Sequence, residues 1–135
     1  MPPAAHVAER FAQALDHEEY HAASKLLADD CVYTCRGSTY RGPEAIIDSY
    51  RGHGDAASRD FDGIEYESRV EERADGMAVI EFVDQLTHRG KSHTFTSQQV
   101  IEVGDDGLIR RIEHVDLPGQ REALETFLRE CGVQG

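Results

Sequence analysis

The stretch that decides the fold is Ile64-Glu65-Tyr66-Glu67-Ser68-Arg69-Val70-Glu71, in which apolar or small residues mostly alternate with charged ones. Successive side chains of a strand point to opposite faces of a sheet, so this alternation predicts a strand with one buried and one wet face. Asp75-Gly76 follows it and is typical of a hairpin turn. Three further strand-like segments come next, over residues 77–88, 92–103 and 108–117. Together they predict a four-strand antiparallel meander.

The residues before this meander repeat with the period of a helix. Two apolar stripes predict two short helices, one with Val7, Phe11, Ala14 and Leu15 and one with Tyr20, Ala23, Leu26 and Leu27. Asp16 lies between the stripes and is predicted to cap the second helix, because its carboxylate can accept from free N–H groups there.

Two more helices are predicted from breakers and apolar spacing. A short β-prone segment, residues 31–35, precedes the third helix, and Pro43 suits the first turn of that helix because its missing N–H costs nothing there. The buried residues predicted for this helix are Ile46, Ile47 and Tyr50, with fraying near Gly52-His53-Gly54. The final helix carries Leu124, Phe127, Leu128 and Cys131 on one side, with Gly132 as its cap.

This order of elements predicts one α+β domain over residues 1–135. Strands of about 12 residues would run ~40 Å if straight, so they must twist and bend within so small a domain. We expect a curved antiparallel sheet with the N-terminal helices packed over its concave face. Such an arrangement encloses a cavity.

The composition excludes several classes of function. Lys and Arg total 14 against 26 Asp and Glu, a net charge of -12, and an acidic surface repels nucleic acid and anionic lipid. Three Cys is an odd count, and no basic stretch followed by an apolar run opens the sequence. We therefore expect a cytoplasmic protein without a disulfide framework, with no nucleic-acid or membrane partner.

Three stretches resemble the nuclear-transport-factor-two-like superfamily, in particular its SnoaL-like (polyketide-cyclase-like) branch: residues 26–33 (LLADDCVY), 40–46 (YRGPEAI) and 106–114 (DGLIRRIEH). The likeness covers nearly the whole chain. It implies the α+β fold of that superfamily, a cystatin-like cone with a cavity, more strongly than any activity, because the superfamily includes isomerases, dehydratases, epoxide hydrolases, cyclases and non-catalytic binders.

The resemblance to ketosteroid isomerases can be tested position by position. The oxyanion-binding Tyr of their first helix falls on Phe11, their proton-shuttling Asp on Cys35, and their protonated Asp on Gln99. In those isomerases the protonated Asp is a carboxyl group that an apolar site keeps neutral. All three positions differ here, so isomerisation by that mechanism is not expected.

His114 and Asp116 form the leading hypothesis for a catalytic site. In the epoxide-hydrolase and cyclase branches a catalytic carboxylate lies in the last strand, and the resemblance puts that position on His114. Asp116, two residues on, shares its strand face and can orient the imidazole, while Gln99 on the neighbouring strand can donate to an oxyanion. The alternative is a polar pair that merely shapes the mouth of the cavity.

Asp84 is a third candidate catalytic residue, because it shares a strand face with Ile80, Phe82 and Leu86. Burial without a partner would raise the pKa of this carboxyl and suit it to acid–base catalysis, whereas an edge position would leave it in water.

Seven residues are predicted to line the cavity and contact a small-molecule ligand: Phe11, Tyr33, Cys35, Tyr50, Tyr66, Gln99 and Ile112. Cys35 can be a nucleophile or, as most cysteines are, a small buried hydrophobe.

A zinc hydrolase is a remote alternative. His17-Glu18-Glu19-Tyr20-His21 matches the H-E-x-x-H motif, whose chemistry requires both His on one continuous helix. The match falls at a predicted helix start and lacks the extended pattern, so no metal site and no cofactor are predicted. His88 and His93 flank a turn and are expected to face solvent.

The second long strand is apolar on both faces, with Val79 and Val83 opposite Ile80 and Phe82. One face would line the cavity, and the apolar side chains of the other would be exposed unless a partner subunit buried them. This predicts a homodimer through the convex face of the sheet.

The function hypothesis is a small-molecule cavity protein, either a cofactor-independent lyase, isomerase or cyclase or a non-catalytic binding or association module. A cavity of ~300 Å³ or more with His114 in its wall would favour small-molecule work.

Overall fold

The computed structural model describes residues 4–131, with the backbone alone for 53–60. Its elements, in chain order, are α1 (Ala4–Asp16), α2 (Tyr20–Ser24), β1 (Leu27–Cys35), β2 (Ser38–Arg41), α3 (Pro43–Asp60), β3 (Gly63–Glu72), β4 (Ala78–His88), β5 (Lys91–Val103), β6 (Ile109–Asp116) and α4 (Gln120–Glu130). Gly132, predicted to cap the last helix, lies outside the described residues.

Within the described residues the strands form one sheet in the order β2-β1-β6-β5-β4-β3. The predicted meander is the antiparallel run β3 to β6, and the predicted α+β fold class is confirmed. One pairing is parallel: β1 lies beside β6, with Tyr33 opposite Ile112. The ladder shifts register between Leu27 and Val32 and again at Glu102, and such irregularities bend strands.

The core lies between the concave face of the sheet and α1. Ala8 and Phe11 on α1 are fully enclosed, as are Ile80 and Ile101 on the central strands and Ile46 on α3. Each large apolar side chain buried in this way contributes about 1.5–3 kcal/mol. The helix therefore covers the concave face, as the sequence predicted.

Asp16 does not cap the second helix. It is the last residue of α1 and accepts a hydrogen bond from Ser68 Oγ on β3 at 2.6 Å. The second helix begins only at Tyr20, after Glu19, which makes no side-chain cap. The carboxylate at this joint therefore binds a side chain of the sheet beneath α1 and not the free N–H groups at the start of α2.

The predicted second helix is too long at its C-terminal end. Leu27 begins β1, and the Leu26 carbonyl accepts from Ile109 N at 2.8 Å. Sheet pairing thus overrides the helical spacing of these leucines. Conversely, α3 does not end near Gly52 but continues to Asp60, because glycine is disfavoured in a helix interior without being forbidden there.

The sequence also missed β2. Arg36 and Gly37 connect β1 to β2 with φ of 47° and 85°, the left-handed pair that a tight two-residue hairpin requires. Gly37 adopts this conformation without cost, whereas Arg36 is a non-glycine residue in a strained region.

A second apolar cluster joins α4 to the far end of the sheet, built from Leu86, Phe127 and Cys131. The expectation that His88 and His93 face solvent is wrong. The His93 ring stacks on Phe127 at 5.1 Å, and the His88 side chain is only 13% exposed, because α4 packs over the hairpin that carries both. Among the described residues, no helix combines the length and apolarity needed to cross a membrane.

Candidate functional site

A cavity of about 330 Å³ opens between the concave face and the helices. Its wall is mostly apolar and aromatic, with a few polar groups, which is the usual make-up of a small-molecule site. The lining residues are Leu15, Asp16, Tyr20, Tyr33, Cys35, Arg36, Tyr50, Phe61, Tyr66, Phe82, Asp84, Leu86, Phe95, Ser97, Gln99, His114 and Leu124.

The sheet register explains why the polar lining residues share one face. Gln99 pairs directly with His114, and Asp84 pairs with Tyr66 on one side and Phe95 on the other. Directly opposed residues of neighbouring strands point the same way, so the whole set faces the helices.

Seven of the ten residues named from the sequence lie in this wall: His114, Asp84, Tyr33, Cys35, Tyr50, Tyr66 and Gln99. Phe11 and Ile112, predicted to line the cavity, instead lie in the core with no exposed surface. Phe11 packs edge-on against Tyr50 at 5.8 Å, so it supports the wall from behind. Asp116 lies outside the lining set, beside His114.

His114 is held by Asp116, as the shared strand face predicted. Its Nε2 lies 3.0 Å from Asp116 Oδ1, and the imidazole side chain is only 9% exposed. A carboxylate at this distance orients the ring and stabilises its charged form. The pKa of Asp116 is lowered to about 2, first by hydrogen bonds from Arg36 and then by the one from His114, so this carboxylate stays ionised near neutral pH.

Arg36 is a residue of the candidate site that the sequence did not reveal. Its Nε and Nη2 donate to the two oxygens of Asp116, both at 2.7 Å, which is the paired geometry that a guanidinium and a carboxylate favour. The residue reaches Asp116 from the β1–β2 turn, 80 positions away in the chain. The only local signal was the Arg36-Gly37 pair at the end of a β-prone segment.

Gln99 connects three side chains on the other side of His114. Its Oε1 accepts from the Tyr50 hydroxyl at 2.6 Å, and its Nε2 donates to the Tyr33 hydroxyl at 3.2 Å and lies 3.3 Å from His114 Nδ1. Tyr33 and Tyr50 stack at 5.2 Å. Burial raises the pKa of both tyrosines, so their hydroxyls keep their protons and act as donors.

A separate acidic region occupies another part of the wall. Burial, and secondly the charge of Asp16, raise the pKa of Asp84 to about 6. Burial likewise raises the pKa of Asp16, although the hydrogen bond from Ser68 opposes this. Burial and then the charge of Asp84 raise the pKa of Tyr66 to about 12. Sequence reasoning named Asp84 and Tyr66 and missed Asp16, which it had assigned to helix capping.

Asp84 and His114 do not form one cluster. Asp84 pairs with Phe95 and His114 pairs with Gln99, four residues further along β5. Four residues of strand span about 13 Å, so the two groups face different parts of the cavity. The three predicted catalytic residues are thus one pair, His114 with Asp116, and one distant carboxyl.

Cys31 shows the structural role that cysteines usually have. It is fully buried, and burial raises the pKa of its thiol to about 12, far from the thiolate that nucleophilic chemistry needs. Cys35 lies in the cavity wall beside Tyr33. None of the described cysteines is in a disulfide.

The zinc hypothesis is not supported by the geometry. α1 ends at Asp16, so His17 lies in the turn and His21 on the next helix, and His17 Nδ1 lies 2.8 Å from the Gln13 carbonyl. Among the side chains that the structure describes, which exclude those of residues 53–60, no group of three or more His, Cys, Asp or Glu could hold a metal ion.

Comparison with known proteins confirms the resemblance drawn from the sequence. The family model of the SnoaL-like domain matches residues 8–112. No curated protein matches the chain.

Solved structures share the fold. An LEH-like epoxide hydrolase of M. tuberculosis is 26% identical, with a TM-score of 0.65 over 94% of this chain and 92% of that one. TerC, co-crystallised with polyporic acid, is 15% identical, with a TM-score of 0.69 over 95% of this chain and 99% of that one. RV0760c from Mycobacterium tuberculosis, in complex with estradiol-17beta-hemisuccinate, is 16% identical, with a TM-score of 0.64 over 89% of this chain and 98% of that one.

Proposed function

The chain belongs to the SnoaL-like domain family, and from this premise we propose that it binds a small, largely apolar carbonyl compound and catalyses a proton transfer on it. His114 is the acid–base group, and no cofactor takes part. The observation that carries the proposal is the position of His114 in the cavity wall. Its Nε2 lies 3.0 Å from Asp116, and Arg36 in turn donates hydrogen bonds to Asp116.

Imidazole is the side chain that gains and loses protons near neutral pH, and a fixed carboxylate stabilises the charged form that arises when it takes a proton. His114 therefore removes a proton from the carbon beside the ligand carbonyl, and the electron pair moves onto the carbonyl oxygen. Return of the proton to the same carbon exchanges its hydrogen, and in a β,γ-unsaturated ligand return to the γ-carbon of the resulting dienolate gives the conjugated isomer. Atoms and charge balance without an added reactant.

Tyr33 is the donor for the enolate oxygen. Gln99 Nε2 donates to the Tyr33 oxygen, which leaves the hydrogen of Tyr33 available to a ligand. Within the cavity wall the competing acceptor is the Cys35 sulfur, which accepts hydrogen bonds weakly. A preformed donor in a largely apolar site stabilises developing negative charge more than the same donor in water.

Asp84 is a second proton-transfer group for a ligand long enough to reach it. Its pKa of about 6 means that both forms of the carboxyl are populated near neutral pH, the condition under which acid–base catalysis is most effective.

The open cavity favours this proposal over a non-catalytic association module with a packed interior. About 330 Å³ is within the range of small-molecule sites. Two proteins of the same fold have been crystallised with small-molecule ligands, polyporic acid and estradiol-17beta-hemisuccinate.

The test uses 2-tetralone, a bicyclic ketone with exchangeable hydrogens beside its carbonyl, in deuterated buffer. We expect the wild-type chain to accelerate deuterium uptake and His114→Gln to lose at least about a hundredfold of that rate. His21→Gln, a matched change at an exposed position of α2, should keep it. Equal rates for wild type and His114→Gln would refute the role of His114.

Epoxide hydrolysis is a second candidate, favoured by the LEH-like relative and by Asp84. A protonated Asp84 could donate its proton to the epoxide oxygen while water attacks the ring carbon, which yields a diol and a proton returned to the carboxylate. The test is hydrolysis of styrene oxide. Activity that is lost in Asp84→Asn and kept in His114→Gln would favour epoxide hydrolysis over proton transfer by His114.

We also propose a homodimer through the convex face of the sheet. Val79, Val83 and Val100 on that face are each half-buried rather than enclosed in the isolated chain. Sedimentation should show a dimer for the wild type and a monomer for Val83→Lys. A monomeric wild-type protein would contradict the proposal.

A further inference from the structure

We infer that Gln99 is a positioning residue that fixes the tautomer of His114, so that Nδ1 is the atom that accepts a proton. The kinetic consequence of this inference rests on the proposed function. The tautomer itself can be measured without any substrate, so the two can fail separately.

The orientation of the Gln99 amide follows from its distances. The Tyr50 oxygen is 2.6 Å from one end of the amide, a separation typical of O–H···O and shorter than usual for N–H···O. That end is therefore the oxygen, with Tyr50 as its donor. The other end lies 3.2 Å from the Tyr33 oxygen and 3.3 Å from His114 Nδ1, both suitable for an N–H donor.

Burial holds the amide in this orientation. Gln99 is only 3% exposed, and a buried amide group left without a partner costs about 1–3 kcal/mol. Turning the amide would face its NH₂ toward Tyr50 at a distance that is too short for it. The two NH₂ hydrogens therefore point to Tyr33 and to His114.

A donor facing Nδ1 requires that nitrogen to be unprotonated. The remaining ring proton is then on Nε2, where Asp116 Oδ1 accepts it at 3.0 Å. Arg36 Nη2 also lies 3.5 Å from this nitrogen, at the limit of hydrogen-bond distance, whereas its bond to Asp116 Oδ1 is 2.7 Å, so Asp116 is the closer partner of both groups. Both sides of the ring thus select the same neutral tautomer.

Gln99 and Asp116 then have opposite effects on the imidazolium. Asp116 stabilises it, whereas a proton on Nδ1 would face the NH₂ group of Gln99. The 3.3 Å contact to Gln99 is at the long end for a hydrogen bond and is longer than the 3.0 Å contact to Asp116, so Nδ1 is the nitrogen that a bound ligand engages. A proton taken up at Nδ1 is consequently held only briefly and is readily returned to the ligand.

The test compares Gln99→Glu with Gln98→Glu by ¹⁵N NMR of the histidine rings at about pH 8, where ordinary imidazoles are neutral. The His114 resonances are assigned by their loss in His114→Gln. Gln98 is the matched control, because it is the next residue and points to the opposite face, toward Glu81.

In the wild type we expect Nε2 of His114 to carry the proton and Nδ1 to carry none. In Gln99→Glu the new carboxylate can only accept, so Nδ1 should become protonated while Nε2 stays protonated. Gln98→Glu should match the wild type. A wild-type ring protonated at Nδ1, or a ring unchanged in Gln99→Glu, would overturn the inference. The wild-type spectrum decides the tautomer even if Gln99→Glu does not fold.

The kinetic arm uses deuterium uptake by 2-tetralone. Gln99→Glu should lower kcat at least about tenfold while KM changes less than about threefold, because the substitution removes the base without removing the cavity. A wild-type rate in a Gln99→Glu protein whose Nδ1 is protonated would refute the assignment of Nδ1 as the proton acceptor. Absence of uptake in the wild type would refute the proposed function and leave the tautomer result intact.

Discussion

Asp84→Asn should make the protein more stable near pH 8 and leave its stability almost unchanged near pH 4. The pKa of Asp84 is raised from 3.8 to about 6, chiefly by burial. No hydrogen bond or ion pair joins Asp84 to another residue within the described part of the chain. An ionised Asp84 is therefore a cost to the folded state that an uncharged amide of nearly the same shape avoids.

The size and sign follow from linkage. A carboxyl group whose pKa is higher in the folded state contributes stability that is fully present below the unfolded value, about pH 4, and is lost as the pH rises through about 6. A shift of about two pKa units, at about 1.4 kcal/mol each, amounts to about 3 kcal/mol. That amount is the upper limit of the gain in Asp84→Asn at pH 8.

Urea denaturation at the two pH values measures the effect. The full gain of about 3 kcal/mol would move the midpoint at pH 8 upward by about 1–3 M urea, since the slope for a small domain is about 1–3 kcal/mol per molar, and a smaller gain moves it in proportion. Asp29→Asn, a change of the same kind at an exposed position of β1, should leave both midpoints unchanged. A loss of stability in Asp84→Asn at pH 8, or an equal change at both pH values, would refute the assignment of a raised pKa.

Two further changes test the supports of the site. Arg36→Met removes both hydrogen bonds to Asp116, so the pKa of Asp116 should rise from about 2 toward its usual value in a carboxyl ¹³C titration. The free energy of unfolding should fall by less than about 1 kcal/mol, because the ion pair is partly exposed. An Asp116 pKa that is the same in Arg36→Met as in the wild type would show that Arg36 does not stabilise this carboxylate. Phe11→Ala should lower the free energy of unfolding by about 3–5 kcal/mol in urea, since Phe11 has no exposed surface. A loss under about 1 kcal/mol would mean that Phe11 lines an open space after all.

The sequence predicted the sheet well because its signal is local and repeated. Alternation over residues 64–71 identified β3, and turns at regular spacing identified the three strands after it. Side-chain direction then followed from strand parity, which is why His114 and Asp116 were predicted to share one face, as their 3.0 Å contact shows.

What the sequence could not predict depended on partners distant in the chain. Asp16 accepts from Ser68, 52 positions away, and nothing near Asp16 distinguishes that role from helix capping. Arg36 meets Asp116 only because β1 pairs in parallel with β6. Periodicity places Phe11 on the correct face of its helix but does not specify its depth, so the boundary between core and cavity wall was drawn wrongly there.

The most direct test of a cavity that presents a ligand to His114 is the nuclear Overhauser effect between bound 2-tetralone and the protein. We predict intermolecular effects from the ligand protons to the ring protons of His114 and Tyr33, and none to Val79 on the convex face. Effects confined to the convex face, or binding that leaves the His114 ring without a ligand proton nearby, would contradict the proposed site.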